Sequence, residues 1–445
     1  MKKLIYIIST FLSITCLLGC IVLRSNYKKF NSQSVLDNIE YLSSSKFKGR
    51  QPGTKENQDV ANRIAQVYKN CNLKPLSKDY IENFNVTSPI KNNCNCSITI
   101  NNGEKTIKSL TLGRDFKEDF LNFNCSNIEF TNKDKVQIYQ KSIVIVKDNK
   151  SYLFYVTFDS DFSFRSSFMD KCDYEFAIQI NTSTYNEILN SLRNNNSIRV
   201  NLCYKEEIVS VSNVIGMIEG SDKSLNPLIL TAHFDHLGTD SLNNVYGGAL
   251  DNASGISFLL ELAKTYSSID TPKRDIIFVA LNCEEYGFLG SSNFVKKHKD
   301  ILKGAQVINF DMIGAKDYPL TFMRSENSLN TSSLLEDSLE DICKSKSIEY
   351  NIIFKDSSDH VPFAKNFVDS LTISTMDTTN IHTPKDTSDK ISTKSIDNVY
   401  NLINSKIFDC SYSNSLLIIY NDITFYFLII CSILFSTLTF KEYRR

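Results

Sequence analysis

Leu228-Ile-Leu-Thr-Ala-His-Phe-Asp-His-Leu-Gly238 is an apolar run of strand length that ends on His233 and Asp235. The pattern recurs downstream. Asp275-Ile-Ile-Phe-Val-Ala-Leu281 leads into Glu284 and Glu285, and Val307-Ile-Asn-Phe310 stops at Asp311. Residues 368–376 precede His382 by a short polar loop. From residue 213 onward such runs alternate with helical segments, which predicts an α/β domain on a central sheet. In open α/β sheets ligands bind beyond the carboxyl ends of the strands, so these residues can converge. Asp251 lies in Gly247-Gly-Ala-Leu-Asp-Asn-Ala-Ser-Gly255, just before a helix expected over 256–266. The glycines allow tight backbone there.

Counted as donors, these positions offer two imidazoles and at least four carboxylates. Nitrogen and oxygen ligands without thiolate suit Zn²⁺ and also admit Mn²⁺ or Co²⁺. One Asp flanked by two ligand sets is what a co-catalytic pair needs, because such ions lie about 3.5–4 Å apart and one carboxylate can bridge both. Adjacent Glu284 and Glu285 point in different directions, so one can bind metal while the other serves as general base. Taken singly, a strand-end Asp or Glu is a loop residue or helix cap, and a lone histidine is a plain polar residue. Their joint occurrence at successive strand ends is what favours a site. His298, inside Lys296-Lys297-His298-Lys299 on an expected helix, reads as solvated surface.

The whole chain has 445 residues, enough for two or three domains at roughly 150 residues each. Its formal net charge of −1 removes the simplest electrostatic case for nucleic-acid binding. Lys2 and Lys3 precede an uncharged run from Leu4 to Leu23, long enough to span a hydrocarbon core of roughly 30 Å. It reads as an uncleaved anchor; ordinary signal-peptide cleavage and lipoprotein processing at Leu17-Leu18-Gly19-Cys20 are the alternatives. Residues 423–440 are apolar or hydroxyl-bearing and meet Lys441, Arg444 and Arg445, the pattern of a membrane span with a cytoplasmic C-terminus. With two spans, both ends lie inside and the catalytic domain lies outside, at the cell membrane.

The expected division is therefore 1–29 as signal-anchor or signal peptide, 30–97 as the first part of the catalytic domain, and 98–206 as an inserted β-rich unit. Residues 207–408 form the catalytic part and 415–440 the C-terminal span. Twelve cysteines occur, three of them in the apolar ends. The other nine form no CxxC pair and are odd in number, which predicts no disulfide framework.

His233-Phe-Asp235-His-Leu-Gly238, Gly248-Ala-Leu-Asp251-Asn-Ala-Ser-Gly255, Asn282-Cys-Glu284-Glu285-Tyr-Gly287, Asn309-Phe-Asp311-Met-Ile-Gly314 and His382-Thr-Pro384 together resemble the dinuclear zinc aminopeptidase family. That family includes secreted bacterial leucine aminopeptidases and, more distantly, glutamate carboxypeptidases and glutaminyl cyclases. The resemblance extends over about 33–95 and 205–400, with Gly49-Arg50 and Pro52-Gly53 in its entry segment. It implies a three-layer α/β/α domain with a mixed central sheet and two Zn²⁺ ions per chain. Carried over by motif, His233 and Asp311 would hold one zinc, Glu285 and His382 the other, and Asp251 would bridge. Glu284 would be the general base, and Asp235 would sit behind His233. Ser358-Asp359-His360 resembles a segment near the site, with His360 outside the metal shell. The inserted unit bears a weaker likeness to a protease-associated domain, carried by residues 178–200. Ile381 stands where some relatives have Tyr, which leaves a phenolic oxyanion donor unassigned.

The resemblance thus implies a membrane-anchored, extracytoplasmic zinc aminopeptidase acting on peptides. Alternatives on the same frame are a carboxypeptidase or dipeptidase, a glutaminyl cyclase, and a non-catalytic receptor-like protein. The last class generally loses ligands, and none of the five is missing here.

Overall fold

A computed structural model describes residues 2–92, 94–159, 161–412 and 419–444. Eight strands form its main sheet: β1 (Ile81–Lys91), β2 (Tyr204–Ile218), β3 (Leu228–His233), β4 (Ile276–Leu281), β5 (Gln306–Phe310), β6 (Leu320–Arg324), β7 (Tyr350–Phe354) and β8 (Asp369–Ser374). Their spatial order is β1-β2-β4-β3-β5-β8-β6-β7. The central run β4-β3-β5-β8 is parallel, while β1, β2 and β6 introduce antiparallel pairs.

Both faces of the central strands are covered, which is why they read as unbroken apolar runs rather than alternating ones. Leu228, Leu230 and Ala232 of β3, with Ile276, Phe278 and Ala280 of β4, share one core with the helices Ser32–Ser43, Lys55–Asn70, Gly255–Tyr266 and Thr393–Ser411. The intervening Ile229, Ile277, Val279 and Leu281 face the opposite way and pack with Phe294, Leu302 and Phe363. The domain is the three-layer α/β/α structure expected.

Between Lys91 and Tyr204 the chain leaves this sheet and builds a four-stranded and a five-stranded sheet with the helix Thr182–Arg193. β1 and β2 pair from Ile81 opposite Val214 to Lys91 opposite Tyr204, so exit and return lie side by side. Just beyond that register Cys94 and Cys203 form a disulfide across 109 residues. This corrects the expectation of no disulfide: the pair is made by strand register, and no local cysteine spacing announces it. The core of the insert (Phe116, Phe120, Phe168 and Phe176 among others) is continuous with Leu237, Tyr246 and Tyr286 of the main domain.

A second correction concerns His298. It caps the helix Leu289–Lys297, and its side chain is only 11% exposed because Nε2 lies 2.9 Å from Glu82 on β1. The lysines of that run are solvated; the histidine is turned inward.

Two helices are long and apolar enough to cross a membrane, Lys2–Arg24 and Asp422–Arg444, and both are largely exposed. They lie antiparallel. Lys3 sits over the Tyr443 ring at one end, Thr10 Oγ1 meets Thr439 Oγ1 at 2.8 Å, and Arg24 pairs with Asp422 at the other end. Residues 415–418 of the expected C-terminal span lie outside the described residues. Phe30 stacks on Tyr400 at 4.0 Å and seats the domain against the chain leaving the first helix.

Candidate metal centre

His233 is the last residue of β3, and the parallel register sets it opposite Leu281 at the end of β4. Glu284 and Glu285 follow in the one-turn helix Glu284–Tyr286, while Asp311 is the first residue past β5. Asp251 comes from the buried glycine-rich loop ahead of the helix Gly255–Tyr266. Gly248 in that loop has φ +55°, and a Cβ there would lie 2.1 Å from the Asp251 carbonyl oxygen, so only glycine fits. His382 arrives from the loop after β8. All the sequence-predicted site residues therefore gather at one end of the sheet.

His233 Nε2 lies 3.4 Å from Asp251 Oδ1 and 3.4 Å from Asp311 Oδ1. His382 Nε2 lies 3.3 Å from Asp251 Oδ2 and 3.2 Å from Glu285 Oε2. Asp251 thus turns one oxygen to each histidine. Asp235 stands behind His233, with Oδ1 3.6 Å from Nδ1, and accepts the backbone N–H groups of Glu284 and Glu285 at 3.2 and 3.3 Å. Asp386 accepts from the backbone of Leu250 and Asp251 at 2.8 and 3.0 Å and fixes the loop. The Ser358 hydroxyl donates to Asp311 Oδ2 at 2.6 Å. His360 pairs instead with Thr372, outside both ligand groups.

One histidine went unassigned in the sequence. His236 is fully buried, with Nδ1 2.8 Å from Glu285 Oε1 and 4.0 Å from Asp251 Oδ2. Donor atoms of His236, Asp251 and Glu285 cluster as closely as those of His233, Asp251 and Asp311. Its place one residue past Asp235 gives no local signal of this contact. A second missed residue is Ser167 of the insert, whose hydroxyl donates to Glu285 Oε2 at 2.6 Å.

The donor set fits zinc. Both nitrogens of His233 and Oδ1 of Asp311 are buried without a hydrogen-bond partner. Each such orphan costs about 1–3 kcal/mol, and a cation between His233 Nε2 and Asp311 Oδ1 would satisfy both with ligand types zinc prefers, leaving Nδ1 to face Asp235. Electrostatics point the same way. Burial raises the Glu285 and Asp251 carboxyls, but the neighbouring histidines outweigh it and hold both well below the usual carboxylate range. Burial opposes charge on His233 and His382 too, yet the surrounding carboxylates raise both well above an ordinary imidazole. Glu284 goes the other way: burial, with Glu285 and Asp311 nearby, pushes its carboxyl well above the usual range.

Residues 213–406 match the model of peptidase family M28. The chain is 27% identical over 207 residues to Aminopeptidase YwaD of Bacillus subtilis, a match spanning 44% of each chain. It is 33% identical over 111 residues to a vacuolar membrane protease of Clavispora lusitaniae, covering 25% of this chain and 10% of that one. The chain thus spans less than half the length of either relative. Among solved structures, an aminopeptidase from Aneurinibacillus sp. strain AM-1 superposes with a TM-score of 0.58 at 17% identity, over 88% of this chain and 96% of that one. That likeness is one of fold. The likeness to peptidase family M28 is thus carried by residues 213–406, the stretch that brings His233, Asp251, Glu284, Glu285, Asp311 and His382 together.

Proposed function

We propose that the chain is a membrane-anchored aminopeptidase that hydrolyses N-terminal residues from peptides with two zinc ions. The observation that carries this reading is Asp251, whose two oxygens face His233 and His382 separately. His233 and Asp311 would hold one ion, Glu285 and His382 the other, with Asp251 shared. Zinc, when bound, supplies Lewis acidity toward water and the scissile carbonyl. The chain's own part in the chemistry falls to Glu284. Its carboxylate takes a proton from the attacking water and returns it to the leaving amine. Asp235 keeps that carboxylate in place through the Glu284 N–H and stands behind the His233 ring. The aminopeptidase activity named for the Bacillus relative favours the N-terminal over the C-terminal bond.

In this reading residues 30–97 and 207–408 form the catalytic unit, 98–206 the insert, and the terminal helices the anchor. The catalytic unit faces the extracytoplasmic side, with both ends in the cytoplasm. Support comes from the antiparallel helix pair, which gathers Lys2, Lys3, Lys441 and Arg444 at one end. A disulfide at the stem of the insert also suits an oxidising compartment.

The test uses the full chain in detergent with a panel of aminoacyl nitroanilides. Chromophore release should stop with a chelator and return with zinc. Glu284→Gln should lower turnover by about 10²-fold or more while zinc stays bound; full activity in that variant would remove the general-base role. One bound zinc with no release across the panel would replace this reading with a cyclase.

A further inference from the structure

Among the described residues the insert meets Glu285 and His382 through the arm 162–168. Its grip is on Glu285. The Ser167 hydroxyl donates to Glu285 Oε2 at 2.6 Å, and the Phe168 N–H donates to the Glu285 carbonyl at 2.9 Å. Two residues before Ser167, the Arg165 N–H donates to the His382 carbonyl at 3.0 Å, and Phe164 stacks on the His382 ring at 6.1 Å between centroids. Both residues proposed for the second zinc are thus touched by the arm, while no contact of this kind reaches His233 or Asp311 among the described residues.

The arm is held rigidly enough to act on what it touches. The Arg165 guanidinium is fully buried, donates to the Leu237 carbonyl and Tyr204 hydroxyl, and lies 4.0 Å over the Phe120 ring. Buried Lys117 donates to the carbonyls of Phe162 and Phe164. Asp119 accepts from both the N–H and the hydroxyl of Ser166 at 2.7 Å. A hydroxyl fixed from behind orients a carboxylate. Glu285 Oε1 is taken by His236, so with Ser167 on one lone pair of Oε2 the remaining one is left toward His382, 3.2 Å away.

We propose that Ser167 is a positioning residue for Glu285, through which the insert completes the second metal position. The inference rests on the reading of Glu285 as a zinc ligand. Outer hydrogen-bond partners of ligating groups typically govern metal affinity about 10–100-fold. Zinc titration of the detergent-solubilised full chain against a fluorescent chelator tests it, with thermal unfolding of each zinc-free variant alongside. Ser167→Ala should weaken one of two zinc sites about tenfold or more with an unchanged zinc-free melting temperature. Ser167→Thr, which keeps the hydroxyl, should restore the affinity. Ser166→Ala, which gives up a hydroxyl that does not touch Glu285 and keeps the arm fixed through its own N–H to Asp119, should bind zinc as the parent does. Should the alanine variant not fold, Ser167→Cys, a weak donor of similar size, is expected to weaken the same site. Two wild-type affinities in a folded Ser167→Ala protein would overturn the proposal and leave the two-zinc reading standing. Equal losses in Ser166→Ala and Ser167→Ala would overturn it too, since the arm would then matter only as packing. A parent protein that binds fewer than two zinc ions would sink both readings together.

Discussion

Arg50 shows at the scale of one residue how the site is kept in shape by a side chain that never touches it. Its guanidinium is fully buried and donates to the carbonyls of Phe234, Leu42, Gly247 and Gly248 at 2.9, 2.8, 2.6 and 3.0 Å. Phe234 follows His233, and Gly248 opens the loop that carries Asp251, so one cation ties together the two segments that bear these proposed ligands. Burial lowers its pKa to about 10, which still leaves it charged at neutral pH. Neighbouring Gly49 has φ +73°, and a Cβ there would lie 2.5 Å from the carbonyls of Gly238 and Tyr246. Arg50→Met keeps the aliphatic bulk but leaves four carbonyls without their donor. It is expected to cost more than about 3 kcal/mol in urea unfolding and to lower zinc content as well. Arg50→Lys should recover only part of this, because a point-like ammonium cannot serve a planar fork of four acceptors. Wild-type stability in Arg50→Met would show that water replaces the clamp. The contrast with the ligands explains what was legible. Metal chemistry restricts ligands to a few residue types at strand ends, and the motif resemblance then singled out His233, Asp251, Glu285, Asp311 and His382 as the proposed set. Arg50, His236 and Ser167 act by hydrogen bonds on partners set by the fold. Ser167 and Glu285 are 118 residues apart, and no periodicity spans that gap.

The same division appears at the scale of elements. β3, β4 and β5 were readable because strands buried on both faces must be apolar throughout. The edge strand β1 carries instead a buried Glu82, which the basic run around His298 explains only once the two are seen in contact. Glu82 accepts from Ser77 Oγ at 2.7 Å and lies 2.9 Å from both His298 Nε2 and Lys297 Nζ. Burial by itself raises this carboxyl, but those partners outweigh it and bring it to about 2, against an ordinary 4.5. Since the folded value is the lower, the stabilisation is complete above about pH 4.5 and is lost as pH falls through about 2. Glu82→Gln is therefore expected to lower stability by about 1–2 kcal/mol at neutral pH and to flatten the decline between about pH 4.5 and 2. Urea unfolding at stepped pH measures both. An unaltered acid limb in the variant would mean that other carboxylates govern it. The Cys94–Cys203 disulfide belongs to this scale too: it is a consequence of β1–β2 register and was invisible to cysteine counting.

For the whole molecule, on the membrane-anchored reading proposed above, the question is one of orientation. Charge counting left the N-terminal helix undecided, because Lys2 and Lys3 are opposed by Arg24, Lys28 and Lys29. Packing changes that count. Arg24 and Lys29 share the single carboxylate of Asp422 from the other helix at that end, which fixes the two helices side by side. At the opposite end Lys3 stands beside Tyr443, with Lys2, Lys441 and Arg444 close in sequence and only Glu442 to offset them. The hairpin therefore sets Lys2, Lys3, Lys441 and Arg444 at one end against Arg24, Lys28 and Lys29 at the other, and cytoplasmic loops carry such a Lys/Arg excess. Apolar packing between helices gains little in lipid, so a charged pair at the rim of the span and a Thr10–Thr439 contact within it are the polar contacts suited to hold a hairpin. The expected outcome in sealed right-side-out vesicles is that epitope tags at both ends survive added protease while the region between the helices is digested. In inside-out vesicles both tags should be removed. Tags on opposite faces would break the hairpin. An N-terminal tag absent from the mature chain would instead mean that the first helix is cut away, leaving Asp422 without Arg24 and the C-terminal helix as the single anchor.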